Sequence, residues 1–143
     1  MTKTNDHLLS EMEVTLENIV KICKEGGINA NINPDGGLRV QGEILVMLIN
    51  IIPHLKLIRF FAFAEFKEDA PKEEKYRFVN DVNDKMIFTR FSISLKSEDR
   101  FLADYTLSYE NGILEFQIIA ALRLLEETTI GAVRAIDTFD IVQ

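Results

Sequence analysis

The sequence is poor in the residues that form covalent cross-links and acid–base sites, with one cysteine and two histidines in 143 residues. A single cysteine excludes an intramolecular disulfide, which fits a reducing compartment. Cys23 lies among apolar neighbours of a predicted helix, so we interpret it as a small buried hydrophobe. His7 lies in a tail expected to fray, and His54 lies in a turn. Neither histidine has a visible second group to orient it for catalysis.

The common signatures of an active site are also absent. The sequence has no glycine-rich phosphate loop, no dinucleotide fingerprint, no nucleophile elbow, no zinc-protease helix and no paired cysteine motif. The segment Asn31–Gly36 partly resembles a calcium loop, but Gly42 stands where such a loop needs a bidentate glutamate. Its Asn, Pro, Asp and Gly residues are typical of a hairpin turn. We therefore predict no catalytic residue, cofactor or metal.

Positive charge is scarce, and the net charge is −7. No run of Lys or Arg offsets this balance, so nucleic acid and anionic membranes are poor candidate partners. The first residues lack the apolar core and cleavage site of a signal peptide, so we expect a cytoplasmic protein. The apolar stretch Ile44–Phe66 carries Lys56 and Arg59 near its middle, which favours two strands over a membrane span.

The remaining patterns predict a single α+β domain over residues 1–143 that contains three helices and five to six antiparallel strands. The expected order is α-β-β-β-β-α-β-β-α, after a frayed tail at residues 1–9. Helices are expected at about Ser10–Glu25, from Asp69–Pro71 onward, and at about Ile113–Ala135. Strands are expected at Ile28–Ile32, Leu38–Gln41, Glu43–Ile52, Leu55–Phe66, Ile87–Leu95 and Phe101–Tyr109, with a turn at Ser97–Arg100.

The two predicted hairpins differ in their faces. The second, Ile87–Tyr109, alternates apolar and polar residues, as expected for a sheet that is packed on one side. The first, within Ile44–Phe66, is apolar on both faces. Helices can cover one face, so the other predicts a homodimer or partner surface, unless a helix crosses over to cover it. The candidates for this surface are Leu45, Met47, Ile49, Ile58, Arg59 and Phe60.

A few polar residues stand out within this apolar framework. Arg59 has three interpretations: it snorkels to water, pairs with an acid such as Glu43 or Glu65, or lies at a subunit interface. Arg90 and Asp104 share a face of the second hairpin and can pair diagonally. The candidate ligand groove consists of Arg59, Asn83, Arg90 and Tyr105.

The segments LRVQGEILVMLINIIPHLKLIRFFAFAEFKEDAP, FVNDVNDKMIFTRFSI and RFLADYTLSYENGILEFQIIAALRL resemble the YbjN-type family of bacterial sensory transduction regulators. The resemblance covers residues 28–143, including the terminal AIDTFDIVQ. It implies a fold like that of the type III secretion chaperones, a curved antiparallel sheet with helices that is commonly dimeric. It transfers no catalytic residue.

Two functional classes follow from these observations. The first is a non-enzymatic regulatory or chaperone-like module that binds a partner protein and forms a homodimer. The apolar surplus of the first hairpin favours this class. The second is a small-ligand sensor or an enzyme whose site uses arginine, asparagine and carboxylate groups. A convergent polar cluster in a concave pocket would favour the second class.

Overall fold

A computed structural model describes residues 7–94, 96–137 and 142 of the chain. These residues form three helices and eight strands, in agreement with the predicted α+β class. The helices are α1 (Leu16–Glu25), α2 (Lys72–Lys85) and α3 (Glu115–Ile136). The strands are β1 (Leu8–Leu9), β2 (Asn29–Ile32), β3 (Leu38–Gln41), β4 (Val46–Ile52), β5 (Leu57–Glu65), β6 (Arg90–Ser94), β7 (Ser97–Ser108) and β8 (Ile113–Leu114).

Six of the strands form one antiparallel sheet in the spatial order β2-β3-β4-β5-β7-β6. The helices pack against one face, which we call the inner face. There Ile49, Ile58, Phe60 and Phe101 are completely buried. Phe66, which directly follows β5, meets Phe78 of α2 and Phe101 of β7 in an aromatic cluster. The opposite, outer face carries no helix from the described residues.

Helix α1 begins later than predicted. The hydroxyl of Thr15 accepts a hydrogen bond from the backbone N–H of Asn18 at 3.2 Å, which makes Thr15 the cap that defines the start of the helix. The preceding residues, Glu11–Glu13, form a separate 3-10 turn instead of the first turn of α1. Cys23 lies on the buried side of the helix as predicted, and burial raises the pKa of its thiol to about 11.

The structure differs from the expected frayed tail at residues 7–9. Leu8 and Leu9 pair with Leu114 and Ile113 in a small second sheet, and the carbonyl of His7 accepts a hydrogen bond from Glu115. These contacts order the segment immediately before α1, whereas residues 1–6 lie outside the described part of the chain.

Two turns also differ from the prediction. Residues Ser97–Arg100, expected as a turn, are the first residues of β7, and the reversal lies before them. The predicted strand that ends at Leu95 therefore ends at Ser94, and Leu95 itself lies outside the described residues. Strand β4 starts at Val46, because Glu43, Ile44 and Leu45 donate their backbone N–H groups to the carboxylate of Glu126.

Candidate functional site

The outer face of the sheet combines apolar side chains with arginines. Side chains alternate between faces along each strand, so the outward positions follow from the pairing register. Phe61 lies opposite Leu48 and Asp104, and Phe63 lies opposite Leu102. On strands β3 to β7, the residues of the outer face that matter below are Arg39, Leu48, Arg59, Phe61, Phe63, Glu65, Arg90, Arg100, Leu102 and Asp104.

Asp104 is the buried polar centre of this surface. It is only 4% exposed, and both of its carboxylate oxygens accept hydrogen bonds from arginines. Arg59 donates from Nη2 and Nε at 3.1 and 3.3 Å. Arg90 donates from Nη2 and Nε at 2.8 and 3.1 Å, and Asp104 raises the pKa of this guanidinium through its hydrogen bonds and its charge. One carboxylate thus orients two cations, and one positive charge is left uncompensated.

A row of stacked cations and rings continues along β5. The guanidinium of Arg59 lies 4.8 Å from the ring centre of Phe61, and that of Arg100 lies 4.1 Å from the ring centre of Phe63. The two rings meet edge to face at 5.9 Å. Each guanidinium is close enough to a ring for a cation–π interaction, which holds it against the sheet. Phe63 remains 37% exposed, so the row is open to a partner.

The predicted ligand groove does not converge in the structure. Arg59 and Arg90 lie together on the outer face, where they share Asp104. Tyr105 lies opposite Phe60 and packs against the core on the inner face. Asn83 belongs to α2 and bonds the backbone of Phe91, instead of backbone groups of its own helix. The pairing of Arg90 with Asp104 was predicted, but the two residues are directly opposite rather than diagonal.

The predicted partner surface needs correction because the helices cover the face on which most of its residues lie. Met47, Ile49, Ile58 and Phe60 are at most 3% exposed and belong to the core. Leu45 is partly buried against the same core. Of the six candidates, only Arg59 points outward, and its partner is Asp104 instead of Glu43 or Glu65. The open apolar face of this hairpin is the one of opposite parity.

The residues of this outer face follow a simple alternation in the sequence, which sequence reasoning noted without knowing which of the two alternating sets faces outward. Leu48, Phe61 and Phe63 alternate with the core residues along β4 and β5. Arg100 and Leu102 repeat the alternation on β7. Because both parities are apolar in β4 and β5, hydrophobicity alone did not distinguish them.

Two concave regions accompany these surfaces. A hollow of about 550 Å³ lies where β3 begins, between the Asn33–Gly37 turn, Leu16 at the start of α1, and Leu48 and Phe61. A second, of about 580 Å³, lies beside α3 and is lined by Arg123 and Glu126. The carboxylate of Glu126 is occupied by the backbone of residues 43–45, which gives this second hollow a structural role.

Other kinds of site find little support. Among the described residues, no three His, Cys, Asp or Glu side chains are grouped closely enough to hold a metal ion. The segment around Asn33 that partly resembled a calcium loop is a hairpin turn. The backbone N–H of Asn33 donates to the carbonyl of Gly37, and Gly36 has a positive φ of 91°. Within the described residues, no helix has the length and apolar character needed to cross a bilayer.

A six-stranded antiparallel sheet with three helices on one face defines an α+β protein of the type III secretion chaperone-like fold. The chain belongs to the YbjN family, described as "Putative bacterial sensory transduction regulator", which matches residues 15–138. No curated protein matches the sequence.

Solved structures share this fold at low sequence identity. YbjN from E. coli, described as "a putative transcription regulator", has a TM-score of 0.73 at 14% identity and covers 90% of this chain and 95% of its own. The Yersinia pestis chaperone SycH, solved with a fragment of YscM2, has a TM-score of 0.58 at 17% identity, with 82% and 99% coverage. SchA in the HopA1–SchA chaperone–effector complex has a TM-score of 0.61 at 9% identity, with 82% and 91% coverage.

Proposed function

We propose that this chain is a non-enzymatic, regulatory or chaperone-like module that binds a partner protein through the outer face of its sheet. One observation carries the proposal: Phe61, Phe63 and Leu102 form an apolar strip on a sheet face that no helix of the described residues covers. Phe63 is 37% exposed and Leu102 is partly exposed, whereas Phe61 is 8% exposed and lies beneath the guanidinium of Arg59. A contiguous apolar strip with a polar rim is typical of protein interaction sites. The structures of SycH and SchA, which have the same fold, contain a bound protein partner.

The alternative, a small-ligand sensor or an enzyme, has less support. Its four predicted residues do not share one surface: Arg59 and Arg90 lie on the outer face, Tyr105 lies on the inner face, and Asn83 lies on α2. Asp104, the buried carboxylate of the outer face, has both oxygens bound to guanidinium groups. Both oxygens are thus already occupied by donors of the same chain, which leaves little room for a ligand at this carboxylate.

The test is affinity purification from the native cell with mass spectrometry, using matched Phe→Ser variants. Phe63 on the outer face is 37% exposed, and Phe116 at the start of α3 is 48% exposed, away from that face. Phe63→Ser should lose the partner that the wild type recovers, whereas Phe116→Ser should retain it. Loss in both variants, or in neither, would contradict a partner site on the outer face. Recovery of the chain alone by the wild type would favour the ligand-sensor alternative.

We also propose that the chain forms a homodimer, and that it does so at the corner between α2 and β6. Ile87 and Phe88 are adjacent there and are 88% and 58% exposed. They lie in the connection between the end of α2 and the start of β6. Light scattering at micromolar concentration should report a dimer for the wild type and for Phe63→Ser, and a monomer for Phe88→Ser. A monomeric wild type would rule out self-association in this range.

A further inference from the structure

The outer face has a charge that is opposite to that of the rest of the chain. It carries four arginines, Arg39, Arg59, Arg90 and Arg100, against the carboxylates of Glu65 and Asp104, whereas the whole chain has a net charge of −7. The local excess of positive charge is therefore concentrated on the surface that also exposes the apolar strip. Complementary charge around an apolar centre selects partners and speeds their encounter.

Two of these arginines are available to a partner. Within the described part of the chain, Arg39 and Arg100 form no salt bridge. The guanidinium of Arg100 is held over the ring of Phe63, at 4.1 Å from the ring centre. Arg90 keeps 71% of its side chain exposed while it is bound to Asp104. The cations are thus positioned before a partner arrives, which reduces the entropy that binding must offset.

We propose that the outer face binds a segment of another protein that places acidic side chains beside apolar ones. This inference rests on the proposed function and specifies the chemistry of its partner. Apolar side chains of the segment pack on the exposed parts of Phe63 and Leu102, and its carboxylates meet Arg39 and Arg100 at the two sides of the strip. Arginine can bind a carboxylate with two parallel hydrogen bonds, so the contact is directional as well as attractive.

Two other occupants fit the charges less well. A second copy that is stacked face to face about a two-fold axis would bring the same four arginines of each copy into one interface. A single-stranded nucleic acid could stack on the phenylalanines, but its phosphates would be repelled by the acidic remainder of the chain. A short acidic, apolar segment avoids the first penalty and reduces the second. Its few carboxylates can all lie at the arginines, whereas a nucleic acid carries a phosphate at every nucleotide.

The experiment measures fluorescence anisotropy of short labelled probes with the full chain. The first peptide alternates Glu with Phe and Leu, the second has Lys in place of Glu, and the third has Ser in place of the apolar residues. Oligothymidine is the fourth probe. The first peptide should bind most tightly, and added salt should weaken its binding. Stronger binding of the lysine peptide, the serine peptide or oligothymidine would overturn the proposal.

Neutral variants then locate the site. Arg39→Gln and Arg100→Gln should each weaken binding of the first peptide about fivefold, the size expected for one interface charge. Arg123→Gln, an equal change of charge on the exposed side of α3, should leave it unchanged. Equal weakening in all three variants would mean that net charge alone drives binding, and would overturn the assignment to this face.

The outcome can be separated from that of the proposed function. Cross-linking from a photoreactive residue at position 102 in the native cell reports whether any protein occupies the outer face. A cross-linked segment with acidic and apolar residues supports the inference. A segment without acidic residues leaves the proposed function standing and overturns the inference. No cross-linked protein contradicts both.

Discussion

The side-chain amide of Asn83 bonds both backbone groups of Phe91, with both distances equal to 2.8 Å. Phe91 belongs to β6, the last strand of the sheet, whose one neighbour among the described residues is β7. Because its N–H donates to Asn83, it is not donated to β7. The amide therefore occupies the position of a missing strand and closes the exposed edge at this residue.

Replacing Asn83 with Ala should lower the free energy of unfolding by about 1–3 kcal/mol, because two hydrogen bonds are lost and a strand edge is opened. Urea denaturation measures the loss, and faster hydrogen exchange at the amide of Phe91 locates it. Asn80→Ala is the matched control, since Asn80 lies exposed on the same helix. If both variants lose the same stability, the loss reflects the helix and not the edge.

Replacing Asp104 with Asn should also destabilise the fold, by about 1–3 kcal/mol. The substitution removes the charge that holds two guanidinium groups, and the side chain of Arg59 is only 30% exposed. Chemical denaturation checks the change, with the exposed Asp84→Asn as the control. A double-mutant cycle with Arg90→Gln should show coupling between the two positions, and strictly additive effects would contradict their pairing.

Replacing glycine with alanine should have opposite effects on stability at Gly42 and at Gly131. A Cβ at Gly42 would overlap the carboxylate of Glu126 and lie 2.8 Å from the carbonyl oxygen of Leu45, so Gly42→Ala should destabilise the chain by about 1–3 kcal/mol. A Cβ at Gly131, within α3, would meet no atom within 4 Å. Gly131→Ala should therefore stabilise the helix by about 0.5–1 kcal/mol. Thermal unfolding distinguishes the two, and the same sign for both would contradict these packing assignments.

The pair of Glu11 and Lys56 gives a pH-dependent contribution to stability. The hydrogen bond from Lys56, followed by that from the backbone of Asn111, lowers the pKa of Glu11 from 4.5. A lowered pKa means that the carboxylate stabilises the folded state above pH 4.5, and that this stabilisation is lost as the pH falls through the folded value. The same hydrogen bond, together with the charge of Glu11, raises the pKa of Lys56 from 10.5. The contribution of Lys56 to stability is therefore lost as the pH rises through its folded-state pKa.

The measurement is the difference in Tm between the wild type and Glu11→Gln across the pH range. This difference should be largest between pH 4.5 and 10.5 and should shrink on either side. The effect is small because both side chains are near water. Glu68→Gln, at an exposed loop position, should show no comparable dependence. A difference that grows on acidification would contradict the pairing.

The elements with one strong local pattern were predictable from the sequence. Strand β3 has the predicted bounds, Leu38–Gln41, because its buried and exposed residues alternate without exception. The start of α1 was missed because the pattern of apolar residues does not reveal which of Ser10 and Thr15 caps the helix. Two capping candidates five residues apart are both compatible with the same amphipathic helix.

The site was less predictable because it depends on contacts between distant strands. Arg59 and Asp104 meet only because β5 pairs with β7, although α2 and β6 separate the two strands in the sequence. The sequence contains no local sign of that register. The face of β4 and β5 that the helices cover was undetermined for a different reason. Residues at both odd and even positions are apolar there. A shift of the strand register by one residue would therefore exchange the side chains of the core with those of the surface.

Cys23 offers a way to follow motion in this fold. Its thiol is fully enclosed between α1 and its neighbours, and burial holds its pKa near 11. Reaction with a thiol reagent therefore requires an opening that exposes and ionises it. As the chain's single thiol, it reports one event without background from other sites. Its labelling rate would measure how often α1 leaves the core, with and without a protein bound to the far side of the sheet.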